Sequence, residues 1–570
     1  MVTTVADLRR PWARRRRAAP ADLDALGVGS PLLAQLLLNR GIAGPEAARA
    51  FLDPSRPEPP ELAAMAGLDA AVRRAERALD AGQKIVVYGD YDVDGLSGST
   101  ILQRALQELG ARAEVFIPHR DRDGYGLNAD VLRALAEQQA GLVITVDCGV
   151  TAAAEVAAAN AIGLDVVVTD HHDVPAELPA AVAIVNPHRP DCPYPFKQLA
   201  GAGVALKLAQ ALVQRRLDPG ARARLDPALL QLAALGTVSD VMPLEGENRA
   251  IVRHGLRALN ERPIAGLSAL IRSAGLARPW IEAEDIAFRL GPRLNAAGRI
   301  SEATITQRLL ATNDPAEAET LAEKLEALND ERRELAGAAL DDARATLGVH
   351  AGELPAALVV RSTYAAGLLG LVAVRLVEET GRVVVVLEQT DGMSRGSVRA
   401  PAGVSAIKAV TACGHHLIRF GGHKGAAGFA IDAANVEAFS AAFVEAVASQ
   451  PIVASRDDGL VADCRLRPST VAESLLDLLG HVGPFGHGAP QPLFESGPLV
   501  VDEARVVGQH HVRLKLWGEN RLLVGIAFGA AHDPPTVGSK IDVLYRVKPN
   551  VWQGRRRVDL DVVAWRPSES

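Results

Sequence analysis

The stretch VVYGDYDVDG, Val86 to Gly95, decides how this chain is read. An apolar run, KIVVYG, ends in three aspartates at every second position: Asp90, Asp92 and Asp94. A solvated turn that caps a following helix needs one of them. Three that repel one another at the end of a buried strand are costly unless cations compensate. An EF-hand is excluded, because the twelfth position from Asp90 is Ile101 and the loop follows a strand, not a helix. All-oxygen ligand sets suit Mg²⁺ or Mn²⁺.

The same chemistry recurs outward from this stretch. LVITVD stops at Asp147, LDVVVTD stops at Asp170 and runs into His171 and His172, and ALGTVSDVMPL places Asp240 after a short apolar run. A lone aspartate at a strand end is most often a helix cap, and a lone histidine is more often structural. Here each successive apolar run delivers a carboxylate or an imidazole. Mixed Asp and His ligands shift the preference toward Mn²⁺. Two ions sharing a bridging carboxylate are a device for phosphoryl chemistry.

Between about 61 and 190, apolar runs without polar alternation (KIVVYGD, AEVFIP, LVITVD, LDVVVTD, AVAIVNP) alternate with helical patterns such as LDAAVRRAERALDAG and SGSTILQRALQELG. This predicts an α/β fold with a parallel sheet covered on both faces, whose ligands bind beyond the carboxyl ends of the strands. Residues 191–310 read as mostly helical. Asp314 and Pro315 open a long connector helix with Leu321, Leu325, Leu328, Leu335 and Leu347 at helical spacing. A second, smaller α/β domain follows with ALVVR, RVVVVLE and MSRGSVRA. In the last part HVRLKLWG sets Val512, Leu514 and Leu516 against Arg513 and Lys515, and VDLDVVAW repeats the scheme, which predicts an OB-like β-barrel. The expected boundaries are 1–60 (an Arg- and Pro-rich N-terminal segment), 61–313, 314–348, 349–455 and 456–570.

Composition narrows the class. The chain has 570 residues, 48% hydrophobic, with a formal net charge of −7, so a polyanion partner requires local basic patches. Its four cysteines, Cys148, Cys192, Cys413 and Cys464, form no C-x-x-C pair, which argues against a zinc ribbon or a disulfide framework and for a reducing, cytoplasmic setting. No stretch approaches the roughly 18 uninterrupted apolar residues of a membrane span, so no membrane partner is expected. RRPWARRRR, Arg9 to Arg17, lacks the apolar run of a secretory signal.

DYDVDG, TVDCG, VTDHH and LGTVSDVMPL together resemble the four motifs of DHH-family phosphoesterases. DGYGLN, NPHRPDCPYPFKQLAGAGVA, GPRLNAAGR, RGSVR and FGGHKGAAG, in that order, narrow the resemblance to the RecJ family of single-strand-specific exonucleases, over roughly residues 60–565. The resemblance implies 5′→3′ hydrolysis of single-stranded DNA to 5′-mononucleotides with two Mn²⁺ or Mg²⁺ ions, in DNA repair and recombination. Its implied metal ligands are Asp90, Asp92, Asp94, Asp147, His171 and Asp240, with Asp147 as the bridge and His172 facing the scissile phosphate or the leaving oxygen. Arg120, Arg299, Ser397 and Arg399 match a 5′-phosphate site, for which guanidinium forks are suited. His423 in GGHKGAAG is implied as a phosphate or base contact. Implied partners are single-stranded DNA, a single-strand-binding protein and a helicase.

Trp552, in the basic stretch KPNVWQGRRR, offers a stacking face for a base. Two positions depart from the family pattern: Cys148 stands where Asn is usual, and RSTYAAG, with Tyr364 and Ala365, replaces a Trp-His motif. Two other readings compete. One is a phosphodiesterase of the same superfamily acting on short oligonucleotides or cyclic dinucleotides. The other is a DNA-binding scaffold with a weak site.

Overall fold

The computed structural model describes residues 11–53, 62–120, 122–124, 126–276, 280–347, 354–451, 459–552 and 555–568. The chain divides into two compact units, 57–455 and the pair of segments 1–56 with 456–570.

The larger unit is built on a five-stranded sheet. Its strands are β1 (Lys84–Gly89), β2 (Arg112–Phe116), β3 (Ala140–Val146), β4 (Asp165–Thr169) and β5 (Ala183–Val185). Their spatial order is β2-β1-β3-β4-β5, and every pairing is parallel. Both faces are covered, so β1 is buried from Ile85 to Gly89 and β3 from Leu142 to Val146. Strand order reverses between β1 and β3, where Gly89 pairs with Val146. A crevice outside the carboxyl ends of those two strands is where this topology binds ligands.

Helix α1 (Leu68–Asp80) precedes the sheet, and α2 (Val93–Glu108) follows β1. SGSTILQRALQELG reads as starting at Ser97, but α2 starts one turn earlier. Asp92 is its N-cap, accepting from the amides of Asp94 and Gly95 at 2.9 and 3.1 Å. Beyond β5 come α3 (Gly201–Arg216), α4 (Pro219–Ser239), α5 (Gly246–Glu261) and α6 (Gly291–Ile300). Helix α7 (Pro315–Leu347) opens on Asp314, whose carboxylate accepts from the Ala316 amide at 3.0 Å. Leu321 and Leu325 are buried along it, as their spacing predicts.

The second sheet of this unit has β6 (Ala357–Ser362), β7 (Val383–Glu388), β8 (Met393–Arg399), β9 (Leu417–Gly422) and β10 (Ala426–Asp432), in the order β9-β10-β8-β7-β6. The Gly-rich stretch GGHKGAAG is the hairpin joining β9 to β10, with Gly421 opposite Gly428. Helix α8 (Ala366–Thr380) packs on β7 and β8.

The smaller unit is a closed barrel of β11 (Phe494–Val507), β12 (His511–Gly518), β13 (Arg521–Ala527), β14 (Lys540–Trp552) and β15 (Arg555–Pro567). They pair in the order β11-β12-β13-β15-β14, and β14 returns to β11 to close the ring. Val512, Leu514 and Leu516 point into its core as the alternation predicts. The N-terminal segment belongs to this unit. Ala13–Arg14 pair with Val461–Ala462, and Leu36 joins the barrel core. Arg14, from the arginine-rich stretch, forms a two-pronged bond to the buried Glu495 at 2.8 and 2.7 Å, and Arg15 lies 3.5 Å from Asp463. These two arginines therefore fasten the unit together. Among the described residues no helix is long and apolar enough to cross a membrane. All four cysteines are free.

Candidate active site

The carboxyl ends of the parallel strands hand one acidic group after another into a single cavity. The backbone ladder runs one residue past each strand: Asp90 N donates to Val146 O, Asp147 N to Thr169 O, and Asp170 N to Val185 O, at 3.1–3.2 Å. Asp147 takes a left-handed φ of 63°, and this turn aims its side chain back into the crevice. Gly201 and Gly236 make room. A Cβ on Gly201 would lie 2.6 Å from Asp147 Cβ, and one on Gly236 would lie 2.5 Å from Asp94 Oδ1.

Around His171 Nε2 lie Asp147 Oδ1 at 3.0 Å, Asp240 Oδ2 at 3.7 Å and Asp94 Oδ2 at 3.9 Å. Three sets of ligand atoms, each mutually within 4.8 Å, fall here: Asp90–Asp92–Asp147, Asp94–His171–Asp240 and Asp147–His171–His172. Asp147 belongs to two of them, as a bridging carboxylate would. All six sequence-predicted ligands are thus brought together, and His172 stands beside them.

The electrostatics bear on what the cluster can hold. Burial, reinforced by the neighbouring carboxylates, pushes Asp90 up to about 8, Asp94 to about 7 and Asp240 to about 8, and holds Asp147 well above the usual range. Burial, with His172 adding to it, lowers His171 to about 4, so its imidazole is neutral and free to ligate. Asp90 Oδ1 and Asp147 Oδ1 are buried and accept no hydrogen bond among the described residues. The 3.0 Å approach of His171 to Asp147 lacks hydrogen-bond geometry, so both atoms present lone pairs to shared space. Crowded carboxylates with unspent lone pairs and a neutral imidazole fit hard divalent cations.

Asp170 works differently. Its Oδ1 accepts from the amides of His171 and His172 and from His172 Nδ1 at 2.8 Å, and its Oδ2 accepts from Val150 N. Burial opposes its charge, but these bonds outweigh burial and keep its carboxyl below the ordinary value. In return Asp170 overcomes the desolvation of His172 and raises it to about 9. His172 is half-exposed and so presents a cationic ring to the cavity.

A basic cluster adjoins the acidic one. Arg120 stacks its guanidinium 3.9 Å over the Tyr91 ring and donates to Gly298 O. Arg299 donates to Gly367 O, while burial and the nearby Arg120, Arg332 and Arg399 lower it to about 10. Arg399 bonds Ser397 Oγ at 3.0 Å. His423 is lowered by burial and by the charges of Arg399 and His172. Arg120, Arg299, Ser397, Arg399 and His423 are therefore neighbours, and the partly buried Arg299 and Arg399 stand close enough for the charge of Arg399 to act on Arg299.

Two contributors escaped the sequence reading. Tyr91 lies inside the deciding stretch, yet its role is visible only once Arg120 folds over it. Asn295 Oδ1 accepts from Val93 N at 3.2 Å and braces the aspartate loop; its place in GPRLNAAGR was the available signal. On the barrel, the side chain of Trp552 lies outside the described residues. One exposed aromatic there is Trp517, which sits across from Val500 and Leu522 on adjoining strands, all half-exposed, on the outer face that also carries Arg513 and Lys515.

Comparison with known proteins agrees with this architecture. The DHH family N-terminal domain model matches residues 84–237, the DHHA1 domain model 355–449, and the RecJ OB domain model 462–564. The single-stranded-DNA-specific exonuclease RecJ of Bacillus subtilis is 34% identical over 93% of this chain and 67% of its own length. That of Thermus thermophilus is 36% identical over 92% and 76%. The chain belongs to the RecJ family. The crystal structure of Thermus thermophilus RecJ with Mn²⁺ superimposes with a TM-score of 0.81 at 33% identity, covering 99% of this chain and 81% of that one. The same protein has been solved with Mg²⁺. The acidic cluster matches those cofactors in kind.

Proposed function

We propose that this chain is a divalent-metal-dependent exonuclease that degrades single-stranded DNA from the 5′ end, releasing 5′-mononucleotides, in repair and recombination. The carrying observation is the convergence of Asp90, Asp92, Asp94, Asp147, His171 and Asp240 from four separated segments on one cavity, next to the cluster of Arg120, Arg299 and Arg399. Family membership supports the same reading.

Asp90, Asp92 and Asp147 would hold one ion, and Asp94, His171 and Asp240 the other, with Asp147 reaching both. Such a pair of ions lowers the pKa of a water and offsets charge developing on a phosphate. The chain's own residues do the rest. Arg120, Arg299 and Arg399, with Ser397 Oγ, bind the terminal 5′-phosphate and so fix which phosphodiester reaches the carboxylates. His423 borders the same phosphate. His172, held by Asp170, donates a proton to the departing 3′-oxygen. Water adds to phosphorus as the P–O3′ bond breaks, so the shortened strand keeps the phosphate on its new 5′ end. That phosphate refills the arginine site, which permits repeated one-nucleotide steps.

The barrel contributes sequence-independent grip. Trp517 offers a stacking face, and Arg513 and Lys515 attract the backbone. Trp552, in its basic stretch, is proposed as a further base-stacking residue. A single-strand-binding protein and a helicase are the proposed partners, since both supply single strands.

A time course on 5′-labelled strands tests the assignment. The expected result is labelled mononucleotide from the first time point with Mn²⁺ or Mg²⁺, none with chelator, and duplex DNA spared. Efficient cutting of dinucleotides or cyclic dinucleotides with long strands ignored would overturn it in favour of the small-substrate reading. No hydrolysis of any of these would favour a scaffold.

A further inference from the structure

Behind the carboxylates lies a buried polar network that the reaction does not touch. Asn248, in the first turn of α5, is fully buried. Its Nδ2 donates to two backbone carbonyls, Gln198 O and Pro243 O, the latter at 3.1 Å. One carbonyl belongs to the loop that leads into α3, and the other to the loop that follows Asp240. The preceding residue, Glu247, forms an ion pair with the buried Lys207 and accepts from Tyr194 OH at 2.8 Å. Tyr194 is fully buried and lies midway along the loop leading into α3.

The far end of that loop meets the site. His171 is hydrogen-bonded to the Leu199 backbone. The amides of Gly201 and Ala202 donate to Asp94 at 2.6 and 2.9 Å. Asp240 sits three residues before Pro243. One carboxamide therefore ties together the two loops that orient Asp94, His171 and Asp240, which form a single ligand set. Asp90 and Asp92 are fixed elsewhere, by the end of β1 and by the first turn of α2.

Resting on the two-ion reading above, we infer that Asn248, backed by Glu247, Tyr194 and Lys207, is a positioning residue that sets the Asp94–His171–Asp240 ion site in preference to the other. It touches neither ion nor substrate. Partners that orient metal ligands change metal affinity by about 10–100-fold when removed. Because Gly201 also packs on Asp147, the discriminating quantity is the difference between the two sites' losses.

The test titrates MnCl₂ into the full chain and into Asn248→Ala by calorimetry, with thermal unfolding in chelator as the folding check. The expected result is two ions on the parent, and on the variant one site weakened by roughly tenfold or more and the other by under about threefold. Unchanged affinities, or equal losses at both sites, overturn the inference while leaving the two-ion centre intact. A parent that binds no Mn²⁺ overturns the two-ion reading and this inference with it. If Asn248→Ala does not fold, Tyr194→Phe removes one hydroxyl at constant shape and is judged by the same difference between sites.

Discussion

Metal binding to this chain must expel protons, and the structure says how many. In the metal-free protein Asp90 and Asp240 titrate at about 8 and Asp94 at about 7. At pH 6 these three carboxyls therefore hold roughly three protons, and at pH 8.5 roughly half a proton. Burial and the same neighbouring carboxylates hold Asp147 well above its ordinary range too. Ligation requires carboxylates, so filling both sites at pH 6 releases about three protons from these groups. The assay is Mn²⁺ calorimetry under nitrogen at pH 6 and pH 8.5, in buffers of different ionisation enthalpy, whose slope counts protons. The same shifts fix the stability profile. Folded-state values raised above the unfolded ones stabilise the metal-free fold at low pH, and that contribution is lost as pH rises from about 4 through about 8. Mn²⁺ should accordingly raise Tm more at pH 8 than at pH 5. Release of fewer than about one proton at pH 6, or a Tm gain that shrinks with pH, would refute the crowded-carboxylate argument.

Three further outcomes follow from single contacts. Gly236→Ala places a methyl 2.5 Å from Asp94 Oδ1 and 2.6 Å from Ala202 Cβ, and overpacking of this kind costs about 1–3 kcal/mol; urea unfolding in chelator should show that loss, and an unchanged midpoint would mean the wall yields freely. Arg399→Ala removes a charged donor worth about 1.5–3 kcal/mol to a phosphate, so preference for a 5′-phosphorylated over a 5′-hydroxyl strand should fall roughly 10–100-fold, read as the ratio of kcat/KM values; an unchanged ratio contradicts its role. Trp517→Ala should weaken binding of a long single strand by about 1–3 kcal/mol with the salt dependence kept, as measured by fluorescence anisotropy; equal affinity would exclude that face of the barrel.

The sequence made the catalytic core legible because buried parallel strands leave unbroken apolar runs, and Asp90, Asp147 and Asp170 each follow one directly. The alternation in HVRLKLWG likewise separated the inward Leu514 from the outward Lys515. Cap and ligand could not be told apart by pattern, since Asp92 caps α2 and also belongs to a ligand set. The left-handed turn at Asp147 has no local signature in the apolar run before it, and neither does the close packing of the distant Gly201 against that residue. Nor did the segment around Arg14 announce its attachment to the barrel: the pairing of Arg14 with Glu495 spans 481 positions. Long-range pairing of that kind leaves no periodicity to read.

Two divalent ions sharing Asp147 are the centre of the proposed chemistry. Anomalous scattering from crystals soaked in Mn²⁺ measures this directly. Two peaks roughly 3.5–4 Å apart are predicted, one against Asp90 and Asp92, the other against Asp94, His171 and Asp240, with Asp147 between them. A single peak, or peaks away from these side chains, would contradict it.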